Sequence, residues 1–171
     1  MDDWQSELLC QVKETVKDDP FWSSYISGSS GRSGANSVHL AVFVEPFLSF
    51  ILQGRKTVES RFSSRLRPPH KRVKKGDVVL LKRAGGAVVG ICRVSYVWFY
   101  TLDPESLALI YERFAEALCA DTPDFWEQRE GKSYATLMKI NRVLPIEPLL
   151  CRKRDRRGWV VMRTDHNQRS P

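Results

Sequence analysis

The feature that most restricts the fold is the way strand-like runs follow one another. "VHLAVFVE" (38–45), "KTVESRF" (56–62), "GDVVLLKR" (76–83), "AVVGICRVSYVWFY" (87–100), "YATLMKINRVLPI" (134–146) and "GWVVMR" (158–163) are rich in β-branched and aromatic residues. Most are joined by short connections, and only one long helical run is inserted among them. A parallel α/β sheet needs a crossover helix between successive strands, and that alternation is missing. The pattern predicts an α+β protein: a small, partly open, mixed or antiparallel β-barrel of five to six strands with helices over it.

Turn chemistry marks the joints. Gly85-Gly86 is a hairpin signal, Gly76-Asp77 opens a strand, and Gly90 inside a long strand predicts a bulge or bend. Pro46 suits the first turn of a short helix whose face carries Phe47, Phe50 and Ile51, and Gly54 sits where a left-handed C-cap would close it. Asp103 followed by Pro104 is an N-cap and first-turn proline. Leu107, Tyr111, Phe114 and Leu118 then trace one face of a helix. "DTPDFWEQREGKS" reads as a loop, or as a short helix starting near Asp124.

Residues 3–17 predict a helix with Trp4, Leu8, Val12 and Val16 on one face, ended by Asp18, Asp19 and Pro20. The aromatics of "FWSSYI" can anchor to a core, whereas Ser27 to Ser37 is glycine and serine punctuation. The chain therefore divides into an N-terminal helix and flexible linker (1–37), a β-rich domain (38–165) and a disordered tail (166–171). A lid, a docking helix and a partner-binding segment are all compatible with residues 1–37.

No apolar run approaches the ~20 residues of a membrane span, and the acidic start "MDDWQSELLC" has no secretory character. A cytoplasmic, or at least intracellular, protein is expected, the nucleus of a eukaryotic cell included. Cys10, Cys92, Cys119 and Cys151 form no CxxC pair. Reduced, mostly buried thiols are expected, with no metal and no cofactor. The net charge of +7 is concentrated: nine Lys or Arg against Glu59 between Arg55 and Lys75, and five against Asp155 between Arg152 and Arg157. Such blocks favour polyanions, chiefly nucleic acid, and the competing reading is a solvated surface.

At period two, Val58, Ser60 and Phe62 face one side of their strand, and Thr57, Glu59 and Arg61 the other. The first set marks the core. The second puts a hydroxyl, a carboxylate and a guanidinium in one row, with Lys56 at its mouth.

"FLSFILQGRKTVESRF", "KKGDVVLL" and "VVGICRVSYV" resemble the ASCH domain family, a branch of the PUA-like superfold. The family pattern G-x-K-x-x-E-x-R falls on Gly54, Lys56, Glu59 and Arg61, and the resemblance spans roughly residues 38–163. It implies a PUA-like barrel with a cleft between barrel and helices where the motif side chains gather. It also implies RNA as the ligand class, because relatives bind RNA and some read modified bases. Some small bacterial members are enzymes, deacetylating acetylated cytidine or cleaving RNA. The deacetylating group carries threonine where this chain has Glu59, so that nucleophile does not carry over.

Several roles follow from the side chains themselves. Lys56 can act as a point charge for phosphate or carbonyl oxygen or, if desolvated, as a base, with Glu59 its partner in a catalytic cleft. Glu59 can accept from an exocyclic base amine while Arg61 donates to carbonyl or phosphate. Glu59 paired with Arg61 or Lys56 can also simply close the cleft. Trp98, Phe99, Tyr100, Phe125 and Trp126 are candidates for stacking on a base, with Trp98 at a strand end and Trp126 in a loop. Arg65, Arg67, Lys71 and Arg72 would track a phosphate backbone, and His70 is expected on the surface. Lys56, Glu59, Arg61, Arg65, Arg67, Lys71, Arg72, Trp98 and Trp126 thus form the expected binding set. Its expected partner is RNA or another single-stranded nucleic acid, a modified nucleotide included. No membrane is implied, and a protein partner would use the N-terminal helix.

Overall fold

The computed structural model describes residues 3–27 and 36–163. Six strands form one curled mixed sheet in the order β2-β5-β4-β3-β1-β6: β1 (Val38–Phe43), β2 (Val58–Ser63), β3 (Val78–Arg83), β4 (Val88–Thr101), β5 (Tyr134–Leu149) and β6 (Trp159–Arg163). Only β1 and β3 run parallel; the other neighbours are antiparallel. β3 and β4 are joined through Gly85-Gly86, and the β4–β5 ladder slips register at Val88/Gly90, Ile91/Arg93 and Val94/Tyr96. Bulges of this kind bend long strands, and they curl the sheet into an α+β, PUA-like half-barrel.

β1 and β3 are interior strands of the sheet and are buried on both faces. Val38, Leu40, Val78 and Leu80 face one apolar cluster, and Ala41, Phe43, Val79 and Leu81 face another. α1 (Asp3–Thr15) and α2 (Trp22–Ser27) cover the first face. Leu8, Leu9, Val12, Val16, Trp22 and Ile26 are buried there with strand residues, so the N-terminal helices share the core of the barrel. α2 arises in a stretch whose serines argue for a loop. Its aromatics hold it: the Trp22 indole N–H donates to Arg142 O (3.2 Å) and the Tyr25 hydroxyl to Gly76 O (2.7 Å). The middle of the expected linker (28–35) and the expected tail (166–171) lie outside the described residues.

α3 (Phe47–Leu52) packs on the second face. α4 (Pro104–Leu118) and α5 (Pro123–Glu127) form a third cluster with β2 and β5. Asp103 caps α4 as expected, in a reciprocal pair with Ser106. The buried face of α4 is Ile110, Phe114 and Leu118, while Tyr111, expected inside, is exposed. Of the cysteines only Cys92 is buried; Cys10 is exposed and Cys119 and Cys151 are intermediate. Among the described residues no helix is long and apolar enough to cross a membrane.

Candidate nucleotide-binding cleft

Gly54 ends α3 in the left-handed region (φ +74°), where a Cβ would be strained. The amides of Arg55 and Lys56 then both bond Phe50 O (2.9 and 3.0 Å), which turns Lys56 inward. Lys56 is only 3% exposed. Its Nζ donates to Leu118 O at 2.9 Å and lies 3.5 Å from Glu59 Oε2. Leu118 is the last residue of α4, where carbonyls lack helical partners. Burial pushes the Lys56 ammonium below its usual pKa, and the Glu59 carboxylate opposes that shift.

The expected alternation of β2 holds. Val58 and Phe62 pack toward α4 and α5, and Glu59 and Arg61 share the other face. All three kinds of Arg61 nitrogen are engaged. Nε donates to Glu59 Oε1 (2.8 Å), Nη2 to Val42 O (3.0 Å) and Nη1 to Gly158 O (3.3 Å). The guanidinium also lies over Phe43 and Trp159. β2 and β6 are the two edges of the sheet, so Arg61 staples one edge to the strands at the other.

On one side of Arg61 lies a cleft of about 390 Å³, walled by the end of β1, by Phe47, by Lys56 to Phe62 of β2, and by Phe125, Gln128, Arg129 and Lys132. Its lining carries four cationic side chains, Lys56, Arg61, Arg129 and Lys132, against one carboxylate, Glu59. On the other side is a groove of about 690 Å³ between Arg67–His70 and residues 156–161, floored by Ser63 and Thr136. The cleft and groove share Arg61 and Phe62. Both volumes fall within the range of ligand sites, about 300–1,000 Å³.

The structure brings together Lys56, Glu59 and Arg61 in the cleft and adds Arg67 across Arg61. Arg65, Lys71 and Arg72 are exposed in the same loop but outside the groove lining. Trp98 and Trp126 are elsewhere. Trp98 packs edge-on against Phe114 of α4 (4.9 Å), on the side of the third core cluster. Trp126 is buried in that cluster, with its indole N–H donated to Ala120 O at 2.7 Å. α5 is the short helix that the sequence offers near Asp124 as the alternative to a loop, and it draws its aromatics inward, so the Trp126 face is used in packing. The aromatic open to solvent near the groove is Phe99, 40% exposed and in edge contact with His70.

His70, expected at the surface, is buried. Its Nδ1 is 3.0 Å from Thr136 Oγ1, and its ring sits between Phe99 and Tyr134. It anchors the basic loop to β5. Nothing local marks Arg129, because it sits in the mixed-charge run "EQREGKS" that reads as a solvated turn. A faint signal is Gly131, four residues after the tryptophan-containing helix: its left-handed φ of +72° lets the Lys132 amide return to Arg129 O, and both cations then line the cleft. No group of three or more His, Cys, Asp or Glu among the described residues could hold a metal ion.

No family profile and no curated protein sequence matches the chain. Solved structures do. The crystal structure of ASCH from Zymomonas mobilis superposes with a TM-score of 0.58 at 15% identity, covering 74% of this chain and 87% of that one. A single-site mutant of the same ASCH protein gives 0.59 at 15% identity, over 75% and 89% of the two chains. At this identity the likeness is one of fold: the chain has an ASCH-like fold, as the motif resemblance implied.

Proposed function

We propose that this protein binds single-stranded nucleic acid, RNA foremost, with one nucleotide in the cleft at Lys56, Glu59 and Arg61 and the adjoining backbone in the groove beside it. One observation carries the reading. Arg67 from the first basic block and Arg156 and Arg157 from the second, far apart in sequence, line the same groove, and that groove meets the cleft at Arg61. A solvated surface gives no reason for two blocks to converge on one depression. Glu59 keeps carboxylate lone pairs beyond its contacts to Arg61 and Lys56, and these can accept from a base amine. Phe99 offers a stacking surface beside the loop.

The test is fluorescence anisotropy with labelled single-stranded and duplex RNA and DNA at two salt concentrations. Salt-dependent binding of single strands, weakened by Arg67→Gln with Arg156→Gln and by Glu59→Gln, is the expected result. Absence of binding at low salt would overturn the reading.

A second reading has its own support. Lys56 is buried beside a carboxylate, at the edge of a cleft, with its pKa lowered by burial. That is the environment of a lysine used as a base, so a hydrolase acting on RNA or a modified nucleoside could use the same cleft. Lys56→Ala would then abolish turnover while oligonucleotide binding persists. A partner-docking role for the N-terminal helix has no such support, since Leu8, Leu9, Val12 and Val16 are covered by the barrel.

A further inference from the structure

We infer that Arg129, assisted by Lys132, is an anion-binding residue of the cleft and that the cleft therefore takes a nucleotide through its phosphate rather than a neutral nucleoside. The inference rests on the cleft reading above and deepens it.

Three observations converge on Arg129. First, it lines the cleft together with Lys132, Lys56 and Arg61, and only Glu59 offsets them. Lys56 and Arg61 are already engaged, by Leu118 O and Glu59 in one case and by Glu59, Val42 O and Gly158 O in the other. The unspent positive charge of the cleft is on Arg129 and Lys132. Second, the Arg129 Nε is buried with no hydrogen-bond partner. A buried donor on a cation is costly to leave unpaired, and native structures rarely do so without a functional reason. Third, the guanidinium is held in place before any ligand arrives. Its carbon sits 3.4 Å from the centre of the Phe125 ring, it lies over Phe62 at 5.4 Å, and Nη1 is bonded to Phe125 O. A planar fork fixed on an aromatic face binds phosphate with little loss of rotamer freedom.

The charge balance points the same way. Burial pulls the Arg129 pKa below its ordinary value and the Glu59 carboxylate acts against that shift, so the half-buried guanidinium is a partly desolvated cation whose counter-charge is Glu59. An incoming phosphate supplies a further one. Glu59 lines the cleft from β2, where Lys56 and Arg61 already offset its charge. A phosphate held at Arg129 leaves the free lone pairs of Glu59 to the base, which gives the bound nucleotide a single orientation.

Isothermal titration with ribonucleoside 5′-monophosphates, their parent nucleosides and inorganic phosphate tests this on the full chain. Wild type is expected to bind at least one monophosphate about tenfold or more tighter than its nucleoside. Arg129→Gln should remove that gap by weakening the monophosphate more than the nucleoside. Arg129→Lys, which keeps charge but loses the fork, should restore only part of it, and Lys132→Gln should narrow it. If nucleoside and monophosphate bind equally in wild type, or if the gap survives in Arg129→Gln, the inference is overturned while the cleft reading stands. If neither class binds and Glu59→Gln leaves oligonucleotide binding intact, the cleft reading falls and the inference with it. Should Arg129→Gln fail to fold, the Arg129→Lys and Lys132→Gln results decide.

Discussion

His39, Asp77 and Trp159 make one buried polar cluster; buried Lys56 and Glu59 with half-buried Arg61 and Arg129 make another. The two nearly touch, because the Trp159 ring lies beside the Arg61 guanidinium while its indole N–H donates to His39 Nδ1 at 3.1 Å. An indole only donates, so His39 Nδ1 accepts and its Nε2 carries the proton given to Asp77 Oδ2 at 2.9 Å. Asp77 also accepts from the amides of Ser37 and Lys74, both at 2.9 Å. Every partner in this first cluster is internal, and it ties β1 and β6 to the turn that starts β3. The second cluster faces a cavity, carries more cations than carboxylates and leaves a buried guanidinium N–H unpaired. Burial of polar groups therefore does not mark a site by itself. Incomplete internal partnering beside open volume does.

That contrast is easiest to break at its firmest end. Asp77→Ala deprives His39 Nε2–H and two backbone amides of their acceptor at once, and is expected to cost about 3 kcal/mol or more, read by urea denaturation. Arg129→Gln should cost under about 1 kcal/mol in the same assay. Equal costs would mean that the two clusters are both structural.

Arg61 belongs to both descriptions, since it lines cleft and groove yet spends its donors on Glu59 and on carbonyls across the seam. Arg61→Ala should lower stability by about 1–3 kcal/mol and weaken oligonucleotide binding together. Arg61→Lys should recover little of either, because one ammonium cannot span three acceptors. Loss of binding with unchanged stability would move Arg61 into the ligand-reading set and away from the seam.

A smaller effect is expected where charge acts without packing. Arg67→Gln with Arg156→Gln should leave stability within about 0.5 kcal/mol of wild type. The slope of log affinity against log salt should fall by about 0.7 for each charge removed. An unchanged slope would show that the groove does not carry the phosphate backbone.

How much of this was legible in the sequence follows from the range of each interaction. The Gly54 cap, the Asp103-Pro104 start of α4, the Gly85-Gly86 hairpin and the β2 alternation are local, written within a few residues, and the structure has all of them. The Lys56–Glu59–Arg61 row was readable for the same reason. What is missing from the sequence reading depends on contacts between distant segments. α2 exists because Trp22 and Tyr25 reach Arg142 and Gly76. His70 and Trp126 are buried because β5 and α4 cover them, and Arg129 enters the cleft because α5 packs on Phe62. Arg61's role as a staple required knowing that β2 and β6 are opposite edges of one curled sheet.

The smallest effect concerns the anchor of the basic loop, and its sign can be worked out. Burial foremost, then the nearby Lys71 charge, holds His70 below the ordinary histidine pKa, against an opposing backbone hydrogen bond. The unfolded chain therefore takes up this proton first as pH falls. The contribution of His70 to stability is full above about pH 6.5 and declines as pH drops through that value toward the lowered one. Glu45, Asp103 and Asp155 are also lowered, but from carboxylate values, so they titrate at lower pH and leave the interval between about 6.5 and 5 to histidine. Melting temperature should fall across that interval, and His70→Gln should flatten the part of the fall that belongs to this side chain. Because His70 holds Arg67 and its neighbours against Thr136, oligonucleotide affinity should lose its excess pH dependence in the same variant. If the melting profile is unchanged by His70→Gln, the titrating group lies elsewhere. His70 would then group with the satisfied cluster around Asp77 rather than with the groove that its loop helps to build.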